Sequence, residues 1–315
     1  MTGTENIIEL TDLTKIFGKE KTVVDHLNLS VARGEIFGFA GPNGAGKTTT
    51  MKMMLGLLEP TEGSGRVLGH DIVRDVIHIR EKTGFMPEPA GFYDHLTARQ
   101  NLRFYSKFYR MSDDVREKKI EDLLCLVGLE KAADQKIGGF STGMRKRFCF
   151  AQALINDPEI LFLDEPTSGV DPKGSQMMRD LIRKISREKN VTVFLSSHSM
   201  EEIESICDRI GIMNKGKLAA VGTIDDLRKK AAEKEGFCRI LNVSGIPPEI
   251  TAGLLREIPG FISAEVRNGS VILFTKNDNR EAISATVTNA GGMILGFEEK
   301  RMSLQDIFMK LTEND

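Results

Sequence analysis

Residues 41–48 combine closely spaced glycines with a lysine and a hydroxyl side chain. They read Gly41-Pro42-Asn43-Gly44-Ala45-Gly46-Lys47-Thr48 and fit the pattern G-x-x-x-x-G-K-[S/T]. Glycines let the backbone take positive φ and aim successive N–H groups at a polyphosphate. The Lys47 ammonium suits the β- and γ-phosphates, and the Thr48 hydroxyl suits Mg²⁺. The stretch therefore predicts a phosphate-binding loop, against the alternative of an ordinary glycine-rich turn.

The residues around the loop favour the same interpretation. A β-like run, Glu35–Ala40, precedes it, and a helical run, Thr49–Leu55, follows it. The N-terminus of such a helix carries a partial positive charge that attracts phosphate. We therefore predict that residues 41–49 contact a nucleotide.

Two adjacent carboxylates follow a second apolar run, Ile160-Leu161-Phe162-Leu163-Asp164-Glu165. Four apolar residues indicate a buried parallel strand, and α/β sheets bind ligands at the carboxyl ends of their strands. We expect Asp164 to hold the Mg²⁺ shell and Glu165 to act as a base toward an attacking water. The alternative is a solvated pair at a strand end.

The order of the elements predicts a parallel α/β core with an all-helical subdomain inserted into it. Predicted strands before the insertion are Asn6–Leu10, Thr22–Val31, Glu35–Ala40 and Thr83–Met86. The stretches Lys15–Gly18, which contains Phe17, and Pro60–Gly65 are predicted as a loop and a turn. Predicted helices are Val73–Glu81, Ala98–Tyr109, Asp113–Leu126 and Thr142–Ile155, and the later strands are Glu159–Leu163, Val191–Leu195 and Ile210–Met213.

Beyond a charged helix near Thr223–Glu235 the pattern starts again. The strands Phe237–Val243, Phe261–Val266, Ser270–Phe274 and Met293–Phe297 alternate with the helices Pro248–Glu257 and Arg280–Ala290, and Ser303–Leu311 is the last helix. Asn268-Gly269 is the preferred pair for a type I′ hairpin turn. The order βαββαβ, followed by a helix, predicts a small ferredoxin-like α+β domain. The predicted domains are 1–222, with its helical part at about 90–157, and 223–315.

Composition excludes several classes of protein. A net charge of −2, with 40% hydrophobic and 28% charged residues, is ordinary for a globular chain of 315 residues and gives no reason to expect nucleic-acid binding. The apolar runs are too short to cross a bilayer, and no secretory signal is evident. The four widely spaced cysteines indicate a reducing compartment. We therefore expect a cytoplasmic protein.

With these motifs in order, residues 5–222 resemble the nucleotide-binding subunits of ATP-binding-cassette (ABC) transporters. Phe140-Ser141-Thr142-Gly143-Met144 lies where the family carries Leu-Ser-Gly-Gly-Gln, and Ser168-Gly169-Val170-Asp171 resembles its D-loop. His198 matches the switch histidine, Glu88 the Q-loop position, and Phe17 the adenine-stacking aromatic.

The resemblance implies a P-loop NTPase fold with an antiparallel β subdomain, and ATP and Mg²⁺ as ligands. It implies catalytic roles for Lys47, Glu165 and His198, and metal contacts from Thr48, Glu88 and Asp164. It further implies an ATP sandwich in a head-to-tail homodimer, because one chain carries both the loop and the signature. The nucleotide contacts implied outside the loop are Phe17, Glu88, Ser141, Gly143, Asp171 and His198.

The chain departs from the family pattern at Glu88, Thr142 and Met144, and also at Gln100, where Glu is common in exporters. The first three departures and the C-terminal extension resemble the branch of drug-resistance and sodium-export ATPases of type-2 ABC exporters. We therefore expect an ATPase that drives a separate integral-membrane permease from the inner face of the cell membrane, with residues 88–97 near the permease contact.

Three alternative functions fit these motifs less well. A soluble ABC ATPase acting on DNA or ribosomes usually shows paired cassettes, zinc knuckles, long coiled coils or basic tails, and none of these is visible in this sequence. A phosphoryl transferase would leave the signature and His198 without a role, and a non-hydrolysing module would not need Glu165. The transported solute is not encoded in these motifs.

Overall fold

A computed structural model describes residues 5–18, 20–299 and 303–313. The chain forms two compact units, Met1–Gly222 and Thr223–Asp315. No helix among the described residues has both the length and the apolar character that crossing a membrane requires.

The first unit alternates strands and helices. Its strands are β1 Asn6–Phe17, β2 Lys21–Ala32, β3 Ile36–Ala40, β4 Glu62–Val67, β5 His70–Asp71, β6 Thr83–Met86, β7 Ile160–Asp164, β8 Thr192–Ser197, β9 Arg209–Asn214 and β10 Lys217–Gly222. Its α-helices are α1 Lys47–Met54, α2 Val76–Glu81, α3 Ala98–Ser106, α4 Asp113–Leu126, α5 Thr142–Ala153, α6 Pro172–Lys189 and α7 Met200–Ile206.

A six-stranded sheet forms the centre of this unit, in the order β10-β9-β3-β8-β7-β6. Its strands are parallel except β10, which pairs antiparallel with β9. Every residue of β3, β7 and β8 is buried, as expected for parallel strands covered on both faces. The rings of Phe37 and Phe162 lie 5.5 and 5.7 Å from the ring of Phe194. This apolar centre brings the carboxyl ends of β3, β7 and β8 to one edge.

A second, antiparallel sheet has the order β2-β1-β4-β5. Two predictions made for residues of this sheet are wrong. Phe17 ends β1 and pairs with Lys21, so the predicted loop at Lys15–Gly18 is wrong for its first three residues. The predicted turn at Pro60–Gly65 is also wrong, because β4 occupies most of it and pairs with β1. A methyl group at Gly63 would lie 2.2 Å from the Asp12 carbonyl oxygen, so glycine there permits close strand approach.

The helices α3, α4 and α5 form the helical part of the unit. Thr97 caps α3 in a capping box: its hydroxyl accepts from the Gln100 backbone N–H, and the Gln100 side chain accepts from the Thr97 N–H at 2.9 Å. Gln100, which departs from the family pattern, thus has a structural partner. Helix α4 has the predicted bounds, whereas α3 ends three residues before the predicted Tyr109.

The second unit contains a four-stranded antiparallel sheet, in the order β12-β13-β11-β14. Its elements are α8 Ile224–Glu235, β11 Phe237–Ser244, α9 Pro248–Leu254, β12 Phe261–Arg267, β13 Ser270–Thr275, α10 Arg280–Asn289, β14 Met293–Glu299 and α11 Leu304–Glu313. Both Asn268 and Gly269 have positive φ, 51° and 77°, as a type I′ turn requires. The strand order is that of the predicted ferredoxin-like domain.

Candidate functional site

The loop between β3 and α1 wraps around a pocket. Gly44 and Gly46 take φ values of 83° and 106°, and a methyl group at Gly46 would lie 2.6 Å from the Val23 carbonyl oxygen. Only glycine fits there without strain. The pocket has a volume of about 220 Å³ and is lined by Val23, Asn43, Gly44, Ala45, Gly46, Lys47, Thr48, Thr49, Glu88, Asp164 and Glu165.

Lys47 supplies a buried cation to this pocket. Its Nζ donates to the carbonyl oxygens of Gly41 at 2.6 Å and Pro42 at 3.2 Å, and lies 3.8 Å from Glu165 Oε1. Burial lowers the Lys47 pKa from its ordinary value, and the nearby Glu165 carboxylate opposes that shift. The loop thus holds a poorly hydrated ammonium that gains from a phosphate partner.

Asp164 is fixed through both of its carboxylate oxygens. Thr48 Oγ1 donates to Oδ2 at 2.9 Å, and Ser196 Oγ donates to Oδ1 at 2.5 Å. A hydroxyl and a carboxylate in contact, with the Glu88 carboxylate lining the same pocket, form a set of hard oxygen donors that fits Mg²⁺ beside a bound polyphosphate.

Glu165 lies just beyond the end of β7, with its carboxylate between the Lys47 ammonium and the His198 imidazole. Its Oε2 is 2.8 Å from His198 Nδ1, and its Oε1 faces Lys47. Its backbone takes the left-handed region at φ 49°, and its N–H donates to the Ser196 carbonyl oxygen at 3.1 Å. Neighbouring strands thus aim the carboxylate into the pocket, where it can accept a proton.

Three predicted contacts reach the pocket only through a residue that lines it: the Gly41 and Pro42 carbonyl oxygens accept from Lys47, and His198 contacts Glu165. Four others are not among the described residues lining it: Phe17, Ser141, Gly143 and Asp171. Ser141 caps α5, and its hydroxyl accepts from the Met144 N–H at 3.3 Å. Phe17 is 42% exposed, with the Lys15 ammonium 5.3 Å from its ring centroid. One copy of the chain therefore assembles the loop, the carboxylates and His198, and leaves the signature elsewhere on its surface.

Two residues at the site were missed by sequence reasoning. Ser196 pairs in register with Asp164 across β7 and β8, and the polar pair Ser196-Ser197 ending an apolar strand could have signalled it. Lys146 Nζ donates to Glu88 Oε2 and, at 2.7 Å, to the Glu165 carbonyl oxygen. No local pattern distinguishes Lys146 from its basic neighbours Arg145 and Arg147.

Two family models match the chain. The model described as ABC transporter matches residues 24–168. The model described as the C-terminal domain of ATP-binding proteins of the DrrA1-3 type matches residues 222–312.

Curated relatives cover most of the chain. It is 44% identical over 224 residues to the bacitracin transport ATP-binding protein BcrA of Bacillus licheniformis, covering 71% of this chain and 72% of that protein. BcrA of Enterococcus faecalis is 36% identical over 307 residues, covering 98% of this chain and 96% of that protein. The Nod factor export ATP-binding protein I of Burkholderia orbicola is 34% identical over 305 residues, covering 97% of this chain and 96% of that protein.

Solved structures agree with the sequence matches. The dimeric post-hydrolysis state of the ATP-binding cassette MJ0796, bound to ADP and Pi, has a TM-score of 0.64 at 28% identity, covering 69% of this chain and 98% of that chain. The predicted family and fold class are confirmed. The chain belongs to the ATP-binding subunits of ABC transporters, the cassettes that hydrolyse ATP to power transport, and its relatives are of the export type.

Proposed function

We propose that this chain is the ATP- and Mg²⁺-dependent motor of an exporter and works as a head-to-tail homodimer. The observation that carries the proposal is the Glu165 carboxylate, which lies in one pocket between the Lys47 ammonium, at 3.8 Å, and the His198 imidazole, at 2.8 Å. A phosphate-binding cation, a base and a histidine meet where a γ-phosphate would end.

The loop and Lys47 bind the triphosphate in this mechanism. N–H groups of residues 43–49 and the start of α1 face the phosphates, and the Lys47 ammonium exchanges its loop carbonyl partners for phosphate oxygens. Thr48, Asp164 and Glu88 would hold Mg²⁺, which neutralises charge on the phosphates. Phe17 would stack on the adenine.

Glu165 then accepts a proton from a water molecule while the oxygen of that water attacks the γ-phosphorus. The bond from this phosphorus to the β–γ bridging oxygen breaks, which leaves ADP and inorganic phosphate. His198, through its contact with Glu165, orients the carboxylate, and its imidazole would contact the γ-phosphate or the water. We expect removal of Glu165 to affect the chemical step rather than binding.

A second copy completes the site in our proposal. The α5 N-terminus, with the Ser141 hydroxyl and the Gly143 N–H, would face the γ-phosphate of the partner, and Asp171 would lie at the contact. A methyl group at Gly143 would lie 3.6 Å from Val170 Cγ1, so the signature and the D-loop are already neighbours on one surface. Two ATP molecules would close the pair.

The transport partner would be a permease on a separate chain, which places this subunit at the cytoplasmic face of the membrane. A groove of about 370 Å³, lined by Leu57, Phe85 and Tyr105 among others, includes Ala90 and Gly91 from the predicted permease-contact stretch. A helix with an apolar face fits such a groove. The names of the relatives, which concern bacitracin transport and Nod factor export, support export as the direction. Residues 223–315 would form an accessory domain.

The test uses Glu165→Gln, which keeps the shape of the side chain and removes the base. We expect this variant to bind Mg-ATP, to hydrolyse it far more slowly, and to shift from monomer to dimer in size-exclusion chromatography with light scattering. Lys47→Ala should bind no ATP and stay monomeric. Adding Ser141→Arg to Glu165→Gln should abolish the dimer while ATP binding survives.

A Glu165→Gln protein that stays monomeric at saturating ATP contradicts the homodimer. Pairing would then need a different cassette or the membrane subunit. Unchanged hydrolysis by Lys47→Ala would contradict the assignment of the loop.

A further inference from the structure

A buried lysine outside the predicted site joins two of its carboxylate residues. Lys146, in the second turn of α5, is 8% exposed. Its Nζ donates to Glu88 Oε2, beyond β6, and to the Glu165 carbonyl oxygen at 2.7 Å. One ammonium thus contacts two separate segments that line the nucleotide pocket.

The ion pair between Lys146 and Glu88 reduces the negative charge around the pocket. Glu88, Asp164 and Glu165 all line it, and Lys47 is the cation that lines it with them. A triphosphate adds further negative charge to a partly desolvated space, where repulsion is stronger than in water. By pairing with Glu88, Lys146 neutralises one of these three carboxylates.

The second contact acts on the geometry of Glu165. This residue takes φ 49°, a left-handed conformation that non-glycine residues seldom adopt, and its N–H is held by Ser196. Lys146 holds its carbonyl oxygen from the other side. The backbone is therefore fixed at both ends of the residue whose side chain must meet the attacking water.

Helix α5 provides a rigid base for Lys146. A methyl group at Gly84, in β6, would lie 2.0 Å from the Ala153 carbonyl oxygen near the end of α5. The same helix begins next to Ser141. Lys146 therefore connects the carboxylates of its own site to the helix that starts at the signature.

We propose that Lys146 is a positioning residue for ATP hydrolysis, which neutralises Glu88 and fixes the backbone of Glu165. This rests on the proposed function of the site. If Lys146 served only to stabilise α5, its removal would have the same effect whether residue 88 is charged or neutral. If Lys146 is the charge partner of Glu88, the effect of its removal depends on the charge at residue 88.

The experiment is a double-mutant cycle on the full-length protein: wild type, Lys146→Gln, Glu88→Gln and the double variant. For each protein, kcat and KM for Mg-ATP are measured, together with the Kd of ATP in EDTA and the Tm. We expect Lys146→Gln to lower kcat/KM at least about tenfold more in the wild-type background than in the Glu88→Gln background. The affinity for metal-free ATP should show the same coupling, because the unpaired Glu88 carboxylate repels the triphosphate.

Lys119→Gln is the matched control. Lys119 lies on α4, pairs with the Asp157 carboxylate and does not line the pocket, so its removal changes net charge equally. Its effect should not depend on residue 88. Lys146→Arg, which keeps the positive charge, should retain more activity than Lys146→Gln.

Equal losses from Lys146→Gln in both backgrounds, or a change in Tm without a change in kcat/KM, would overturn the proposal. If Lys146→Gln does not fold, Lys146→Met, which keeps an unbranched side chain and removes the charge, is compared in the two backgrounds by the same criterion. If the wild-type protein hydrolyses ATP but the four variants show no coupling, only the role proposed for Lys146 is contradicted. If the wild-type protein shows no Mg²⁺-dependent hydrolysis, the proposed function is contradicted as well.

Discussion

Phe17 carries an exposed ring at the end of β1, outside the phosphate pocket. If it stacks on adenine, it binds substrate and transition state equally. Phe17→Ala should then raise KM for ATP about tenfold, from a loss of roughly 1–3 kcal/mol, with little change in kcat. Steady-state kinetics check this.

Two further variants serve as controls for Phe17→Ala. Phe17→Trp should keep KM close to the wild-type value. Phe108→Ala removes another exposed ring, 73% accessible on the surface, and should leave KM unchanged. An unchanged KM in Phe17→Ala would contradict stacking on adenine and indicate that Phe17 only packs against its neighbours.

Among the elements, α7 carries a buried acid, Glu202, that contacts Ser197, the residue before His198. Glu202 is 2% exposed, and its Oε2 accepts from Ser197 Oγ at 2.6 Å. Burial raises the pKa of Glu202 above its ordinary value near 4.5. The folded state then binds more protons than the unfolded state as pH rises past that value, so this group's contribution to stability falls with rising pH.

Glu202→Gln removes this titration and can still accept from Ser197. As pH rises from 5 to 7.5, wild type should therefore lose stability relative to Glu202→Gln, measured as the free energy of unfolding in urea. Other carboxyl groups affect both proteins alike, so the difference between the two slopes is the readout. Identical slopes would contradict a raised pKa at Glu202.

The contact of β6 with α5 gives a second test at the level of elements. Gly84→Ala would place a methyl group 2.0 Å from the Ala153 carbonyl oxygen and 2.6 Å from Leu161 Cδ2. Overpacking of this kind costs roughly 1–3 kcal/mol, and sometimes more. Chemical denaturation should show that loss.

Gly91→Ala is the matched control for Gly84→Ala, since no heavy atom lies within 4 Å of its added methyl group. It should leave the free energy of unfolding nearly unchanged. Comparable losses in both variants would mean that β6 and α5 are less closely packed than the structure indicates.

For the molecule as a whole, we propose that the groove beside β6, which includes Ala90 and Gly91 of the predicted contact stretch, receives the permease. Leu57 lines it and is 51% exposed, so Leu57→Glu should place an uncompensated charge against an apolar partner helix. We expect less permease to co-purify from detergent-extracted membranes, with ATP binding by the isolated subunit retained. Ile77→Glu, which alters a 68% exposed side chain on α2, is the control. Equal recovery of the permease with both variants would contradict docking in the groove.

Each of the two units has its own apolar core. The first is built around residues such as Phe37, Phe162 and Phe194, and the second around Leu241, Val271 and Leu273. The sequence pattern restarts after the charged stretch that becomes α8, and the cores separate at the same part of the chain. Continuous apolar runs, alternating apolar positions and helical spacing together predicted most of the strands and helices of both units.

The sequence by itself determined the features that depend on adjacent residues. The loop at 41–48, the carboxylates at the end of β7 and the helix Asp113–Leu126 are local patterns, and together the motifs identified the family. Local chemistry suffices there, because backbone N–H groups, strand ends and helix caps act over a few residues.

Only the tertiary structure decided what depends on distant partners. Glu62–Val67 is a strand because β1 pairs with it, although its glycines favour a turn. Ser196 and Lys146 join the site because β8 and α5 bring them to Asp164, Glu88 and Glu165. A lysine's role depends on the acceptors that the fold places around its ammonium. Here these are the Glu88 carboxylate and the Glu165 carbonyl oxygen, 58 and 19 residues away in the chain.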